Sequence, residues 1–301
     1  MFTEQHPVFI HCVSPVHMGS GTALGVIDNP IQRERHTSFP LFAGAGLKGA
    51  LRHHLAGQLG ADHADLNAVF GPASERGEKD LFAGAVSFTD AQLVLFPVRS
   101  ARNGFAYATC PLALAAARRL LAATGDPGWT VPDVADNNAV CATESLLSGK
   151  DLLLELFAFP AQLSAALAAI AADLARHFPP GNAWQFFRDK VARDLVLLSD
   201  TDFTYFVRNA TVVEPHVRIN DDTGAADDDG GLFYTENLPP ESVLLSLLLA
   251  GPVRGGQSGL RDADQVGSFV RKHLPPLLQI GGDGSTGRGQ VVFRFAQGGA
   301  Q

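Results

Sequence analysis

The most leucine-dense stretch of this chain, residues 244–250, is only as long as a β-strand. No segment approaches the eighteen or more apolar residues that a membrane-spanning helix requires. The opening MFTEQHPVFIH also lacks the basic region and long apolar run of a secretory leader. Apolar residues nevertheless make up 46% of the chain. They must therefore be dispersed in short strand- and helix-period segments that bury one another. A chain of 301 residues can do this as one large domain or as a domain with sizeable insertions. Cys12, Cys110 and Cys141 have no close-spaced partner, so neither a disulfide framework nor structural zinc is expected, and cytoplasm is the natural setting.

The periodicities place helices between short strands. Residues 8–13 read as an opening strand, followed by a Gly/Ser loop at 17–21 and a long polar loop at 22–36; such loops carry function more often than the elements they join. Leu47, Leu51, His54 and Leu55 follow a helical period, with Lys48 and Arg52 four apart on an adjacent, more exposed face. Strands are expected at 85–97, 195–198 and 291–295, and helices at 111–123, 161–176 and 263–274. Within 161–176 the buried stripe is Leu163, Leu167, Ile170 and Leu174. Asn182 is placed as the cap of a further helix, and Asp200 as the cap of a short one at 203–207. Residues 211–219 and 242–250 read as the two strands of an extended hairpin arm with a Gly/Asp-rich tip. Strands interleaved with amphipathic helices imply an α+β sheet covered by helices.

Net charge is −8, which at first sight disfavours a nucleic-acid binder. Asp221, Asp222, Asp227, Asp228 and Asp229 lie together in the Gly/Ala-rich tip, and setting those five aside leaves 26 acidic against 23 basic residues. A near-neutral body can carry a local basic groove. The tip lacks the spacing and closing glutamate of a calcium loop and reads as a solvated hairpin end.

Several motifs follow one another in a recognisable order. They are Asp28-Asn-Pro-Ile-Gln-Arg-Glu-Arg-His-Thr-Ser-Phe-Pro40, Gly46-Leu-Lys-Gly-Ala-Leu-Arg52, Leu-Phe-Ala-Gly-Ala-Val-Ser-Phe-Thr-Asp at 81–90 and Leu-Phe-Pro-Val-Arg-Ser at 95–100. Leu232-Phe-Tyr-Thr-Glu236, Leu238-Pro-Pro240 and Gly281-Gly-Asp-Gly-Ser-Thr-Gly-Arg-Gly289 complete the set. In this order they resemble the RAMP superfamily, specifically the backbone subunit of a type III-B CRISPR effector, from about residue 8 to residue 295. The resemblance implies a single RAMP-type domain over 1–301, with a modified ferredoxin-like (RRM-like) palm. It places fingers-like insertions and RNA-facing loops at 15–80, a variable helical insertion at 125–180 and a protruding thumb β-hairpin at 211–250. It also implies an endoribonuclease that binds guide CRISPR RNA and cuts complementary target RNA at six-nucleotide intervals. Its partners would be those RNAs, copies of itself in a helical filament, and a small helical subunit with other subunits of the complex, but no membrane.

On that resemblance Asp28 is the cleavage residue: it would position the ribose 2′-hydroxyl, accept its proton or recruit a divalent cation, Mg2+ or Mn2+. Local chemistry alone reads Asp28 as a loop aspartate capping its own Asn-Pro turn. A lone carboxylate holds a hard cation weakly, so RNA phosphates and water would supply the other ligands. His17 sits beside Gly19 and Gly21, where it would contact guide RNA, protonate a leaving oxygen or hydrogen-bond locally; Ser20 shares that loop. Lys48 and Arg52 would meet phosphates near a helix start, although Gly44-Ala-Gly46 departs from the serine often expected there. Arg33 and Arg35 would steer RNA, pair with Glu34 or bind a neighbouring subunit. Arg218 at the base of the arm and Arg288 in the glycine-rich loop are further RNA candidates. That loop lacks the Gly-Lys-Ser/Thr ending of a nucleotide-triphosphate loop, so no nucleotide cofactor is expected. Neither His36 nor the adjacent pair His53 and His54 forms a metal-ligand set.

Overall fold

The structure, a computed structural model, describes residues 2–72, 81–217, 219–220, 222–225 and 231–297. In chain order it begins with β1 (Glu4–Cys12), β2 (Leu41–Phe42), α1 (Gly44–Leu59), α2 (Ala64–Phe70), β3 (Val86–Phe88), β4 (Ala91–Arg99) and β5 (Phe105–Thr109). There follow α3 (Pro111–Leu121), β6 (Ala139–Cys141), β7 (Leu147–Ser148), β8 (Asp151–Leu154), β9 (Phe157–Leu163), α4 (Ala165–Arg176) and α5 (Gln185–Asp194). The last third holds β10 (Leu195–Leu198), α6 (Asp200–Asn209), β11 (Val212–Val217), β12 (Leu232–Asn237) and β13 (Val243–Ala250). It closes with α7 (Ala263–His273), β14 (Leu278–Gln279) and β15 (Gln290–Phe295). The expected mixed α+β architecture is present.

The leucine-dense stretch is β13, and it lies inside the sheet. It pairs antiparallel with β1, from Glu4 opposite Ala250 to His11 opposite Val243, and on its other edge with β3 and β4. The sheet has thirteen strands in the order β14-β15-β1-β13-β4-β5-β10-β6-β9-β8-β7, with β2 on β4 and β3 on β13. Two contacts are parallel, β10 with β5 and β6 with β9, so the sheet is mixed. Side chains alternate between the two faces. Val8, Ile10, Leu244 and Leu248 join the leucines of α1 and the apolar faces of α2, α6 and α7 in one core. Phe9, Val243 and Leu245 join α3, α4 and Val191 of α5 in the other. Each fully buried leucine or phenylalanine contributes about 1.5–3 kcal/mol, which makes a strand buried on both faces the strongest organiser of the fold.

Several local expectations change. Residues 211–219 and 242–250 do not pair with each other: the hairpin closes between β11 and β12, Val212 opposite Asn237 through Val217 opposite Leu232. The second segment is too apolar to leave the core. The expected helix at 161–176 begins only at Ala165, capped by the Ser164 hydroxyl, because residues 157–163 extend as β9; Leu163 is 56% exposed rather than on the buried stripe. Asn182 lies in a short 3-10 turn and does not cap α5, and Ser199 rather than Asp200 caps α6. The strand expected at 85–97 divides into β3 and β4. Segment 125–180 adds β6, β8 and β9 to the main sheet, and its Trp129 and Ile170 are buried in the second core.

Two buried carboxylates carry testable consequences. Asp194 is fully buried and takes hydrogen bonds from Lys190 Nζ (2.8 Å), Arg193 Nη2 (2.8 Å), Ser145 Oγ (2.7 Å) and Asn103 Nδ2 (3.2 Å). Burial alone would raise its pKa, but these donors hold it well below the usual carboxylate range. Lys190 is equally buried, so Asp194→Asn should cost about 3–5 kcal/mol in urea unfolding by stranding that ammonium. Glu241, in the turn before β13, is pushed up to about 7 by burial, although the Tyr107 hydroxyl donates to it at 3.2 Å. The unfolded chain releases that proton near pH 4.3. Between the two values the folded state binds more protons, so stability falls as pH rises through this window. Glu241→Gln should stabilise the protein by about 1–2 kcal/mol at pH 8 and change little at pH 4.5; equal effects at both pH values in chemical unfolding would refute this.

Candidate functional site

The polar loop after β1 is folded back on itself. Val16 bridges Leu238, Gly19 bridges Ile31 and Arg33 bridges Pro40. Ser20 N–H donates to Pro30 O at 3.0 Å, and Gln32 N–H donates to Met18 O at 2.8 Å. Between these pairs residues 21–26 form an exposed excursion whose tip carries Leu24 and Val26. Asp28 sits where the excursion returns, half-buried against β12.

Asp28 is pinned from both backbone and side chain. Its own N–H and that of Asn29 donate to Tyr234 O (3.1 and 3.0 Å), while its Oδ2 accepts the Tyr234 N–H at 2.7 Å. The loop thus adds itself to the free edge of β12, and Glu236 N–H donates to Asn29 O at 3.0 Å. The carboxylate does not cap its own Asn-Pro turn. It holds an amide 206 residues away, and Oδ1 takes no hydrogen bond among the described residues.

Glu236 organises this crossing, and its side chain is only 4% exposed. Oε2 accepts the Ile31 N–H (3.1 Å); Oε1 accepts from Arg33 Nη2 (2.5 Å) and from the Thr211 hydroxyl (2.9 Å). Its carbonyl accepts from His17 Nδ1 at 2.7 Å, which assigns the Nδ1 proton because a carbonyl only accepts. Sequence chemistry did not single Glu236 out; its one signal was membership of the Leu232–Glu236 motif. Arg33 is therefore committed to Glu236 and to the carbonyls of Ser38 and Val207, not to Glu34. Arg35 is exposed with no partner among the described residues.

The glycine-rich loop lies on the other side of His17. A side chain at Gly281 would strike His17 O at 2.2 Å, and one at Gly19 would meet His17 Nε2 at 2.7 Å, so these glycines cradle the histidine. Arg288 makes a two-pronged ion pair with Glu214 of β11 (3.1 and 2.6 Å), tying the loop to the hairpin base. Beside the loop runs an open groove of about 500 Å3 lined by Gly46, Gly49, Ala50, His53, His54 and Gly281.

Lys48 and Arg52 point away from that groove. Lys48 Nζ donates to Val86 O at 2.9 Å; Arg52 donates to Gly71 O (3.1 Å) and Asn67 Oδ1 (3.2 Å). Both staple α1 to its neighbours. Burial, with Arg254 and Arg52 nearby, lowers the Lys48 pKa from its ordinary value. The α1 N-terminus is partly used as well, because Gly44 N–H donates to Asp90 Oδ1 at 2.8 Å. Gly44 itself is needed for packing, since a Cβ there would lie 2.1 Å from Phe88 O. The Ser20 hydroxyl donates to Pro30 O at 3.1 Å. Arg218, Asp221 and Asp227–Asp229 lie outside the described residues. Among the described residues no three His, Cys, Asp or Glu side chains gather as a metal cluster.

The chain is 33% identical, over 94% of its length and 93% of the relative's, to the CRISPR system Cmr endoribonuclease Cmr4 of Pyrococcus furiosus. Its structure matches that of oligomeric Cmr4 from Pyrococcus furiosus with a TM-score of 0.72 at 26% identity, covering 98% of this chain and 99% of that one. It also matches a chain of the type III-B Cmr-beta complex bound to cognate target RNA, with a TM-score of 0.73 and 98% of both chains covered. Identity there is 18%, a likeness of fold. The RAMP superfamily model matches residues 9–292, almost the whole chain, and the protein belongs to the RAMP superfamily.

Proposed function

We propose that this chain is the guide-RNA-binding backbone subunit of a type III-B CRISPR effector and that it cleaves complementary single-stranded target RNA at six-nucleotide intervals, with Asp28 as the catalytic residue. The observation that carries this reading is the half-buried Asp28 carboxylate, fixed through Oδ2 to Tyr234, with Oδ1 unpaired among the described residues. It stands where an exposed loop crosses the base of a two-stranded hairpin. Likeness to Cmr4 supports the same assignment. In this reading the main sheet and its helices are the ferredoxin-like palm, and β11–β12 is the root of the thumb. Guide RNA follows the groove beside the glycine-rich loop. Its small residues admit a backbone closely, and the exposed Arg35, without a partner among the described residues, is a cation available to phosphate.

Chemistry at this position requires the ribose 2′-hydroxyl to lose its proton as it attacks the adjacent phosphorus. The bond from phosphorus to the 5′-oxygen of the next nucleotide breaks, leaving a cyclic phosphate and a 5′-hydroxyl whose proton comes from solvent. Asp28 Oδ1 accepts the 2′-hydroxyl proton, and the Tyr234 amide, bonded to Oδ2, fixes the direction in which the carboxylate points. His17 is held as the Nδ1–H form by Glu236 O, and Gly19 leaves room at its Nε2. A divalent cation, Mg2+ or Mn2+, fits here only weakly: Asp28 would offer one oxygen, with RNA phosphates and water completing a shell of about six or more. Such an ion would offset charge developing on the phosphate. The copies would assemble along the guide in the cytoplasm, with the small helical subunit and the other subunits of the complex.

With the complex assembled on guide and complementary target, Asp28→Ala should reduce cutting at the spaced sites by at least about 100-fold while target binding persists. Undiminished cutting by the variant would remove Asp28 from the chemistry. EDTA should abolish cutting by the wild type, and added Mg2+ or Mn2+ should restore it. A wild-type complex that binds target without cutting it would instead support a structural filament subunit. Processing of precursor guide RNA is less favoured, because among the described residues His53 and His54 lie at the groove edge without an acid–base partner set.

A further inference from the structure

Two aromatic rings on the hairpin are not used by the site described above. His216 and Phe233 lie directly opposite each other in the β11–β12 register. Their rings stack almost parallel, 5.0 Å between centroids and 14° between planes. Phe233 nevertheless remains 41% exposed. Side chains alternate along a strand, so this pair shares a hairpin face with Glu214 and Thr235. Glu214 is the residue that grips Arg288, which turns this face toward the glycine-rich loop. The residue after Phe233 is Tyr234, whose amide holds Asp28. The exposed ring is thus one residue from the anchor of the candidate catalytic carboxylate and one pleat from the loop bordering the groove.

We propose that the His216–Phe233 stack is a base-stacking platform. A nucleobase beside the scissile linkage rests on the part of Phe233 that His216 leaves open, bracing that nucleotide while Asp28 meets its backbone. The proposal rests on the RNA-cleavage reading and names how that site holds its substrate. Stacking tolerates any base, because every base presents a π face. That suits a protein whose sequence selectivity would come from guide–target pairing. His216 stiffens the platform in advance by backing the phenyl ring, so little side-chain freedom remains to be lost when RNA arrives.

The test uses the assembled complex with target RNA carrying a single 5-iodouridine on either side of the cut linkage, in the Asp28→Ala background so that the target stays whole. Irradiation should yield an adduct to Phe233 or His216, located by mass spectrometry. In a parallel series with Asp28 intact, Phe233→Leu should slow single-turnover cleavage about ten-fold, in line with the loss of one base–aromatic contact. Target affinity should change little, and Phe233→Trp should restore the rate. Wild-type cleavage by Phe233→Leu, or no adduct on either ring, would overturn the proposal. So would a Phe233→Leu complex with fewer copies per guide by native mass spectrometry and no adduct in the parent, because the ring would then belong to a contact between copies. If the wild type does not cut at all, the cleavage reading fails, and the crosslink alone decides whether a base stacks here.

Discussion

The pairing of β1 with β13 is the constraint on which the rest of this structure depends. It joins residues 4–11 to residues 243–250, so the central ladder encloses nearly the whole chain between its two strands. Each strand is buried on both faces, and successive side chains feed different cores. A one-residue slip would exchange the two sets and place Phe9 where Val8 and Ile10 now pack. That register also locates the site, because the loop leaving β1 and the turn entering β13 start from adjacent points on the ladder. Cys12 N–H donates to Ser242 O, and Glu241 N–H donates to Cys12 O.

From that fixed corner the candidate site is held together by a buried charge. Glu236 is removed from water, and an unpaired carboxylate there would be costly. Its three partners come from two separate places: Arg33 and Ile31 in the loop, and Thr211 just before the hairpin. Satisfying one buried anion therefore forces the loop onto the hairpin base and brings Asp28 to Tyr234. Arg288 and Glu214 repeat the device on the other side, drawing the glycine-rich loop to β11. Several cations that look like RNA contacts in one dimension are consumed in this way. Arg33, Lys48, Arg52 and Arg288 hold protein to protein, whereas Arg35 has no such partner among the described residues.

How much could be read in advance depended on the range of each interaction. The leucine period of α1, the alternation in β3 and the apolar run of β13 report burial against whatever lies opposite, and all three reappear as elements. Caps were less legible, because Ser164 and Ser199 compete with nearby polar residues that local patterns favour equally. The pairing of the hairpin is illegible for a related reason. Two strands flanking a polar tip look paired in sequence, yet burial of Leu244, Leu245 and Leu248 outweighed proximity along the chain and drew β13 into the sheet.

By itself, the sequence determined the class of fold, the strand-length apolar core and, through the order of its motifs, the family, and it marked Asp28 as a candidate. Those features are written in periodicity and in spaced motifs, which need no knowledge of what packs where. Tertiary structure alone decided that Asp28 holds the Tyr234 amide, that Glu236 is the buried hub, and that Lys48 and Arg52 face away from the groove. The physical reason is distance along the chain. A hydrogen bond spanning 206 residues leaves no local pattern, and a charge shows whether it is free only once its neighbours are in place.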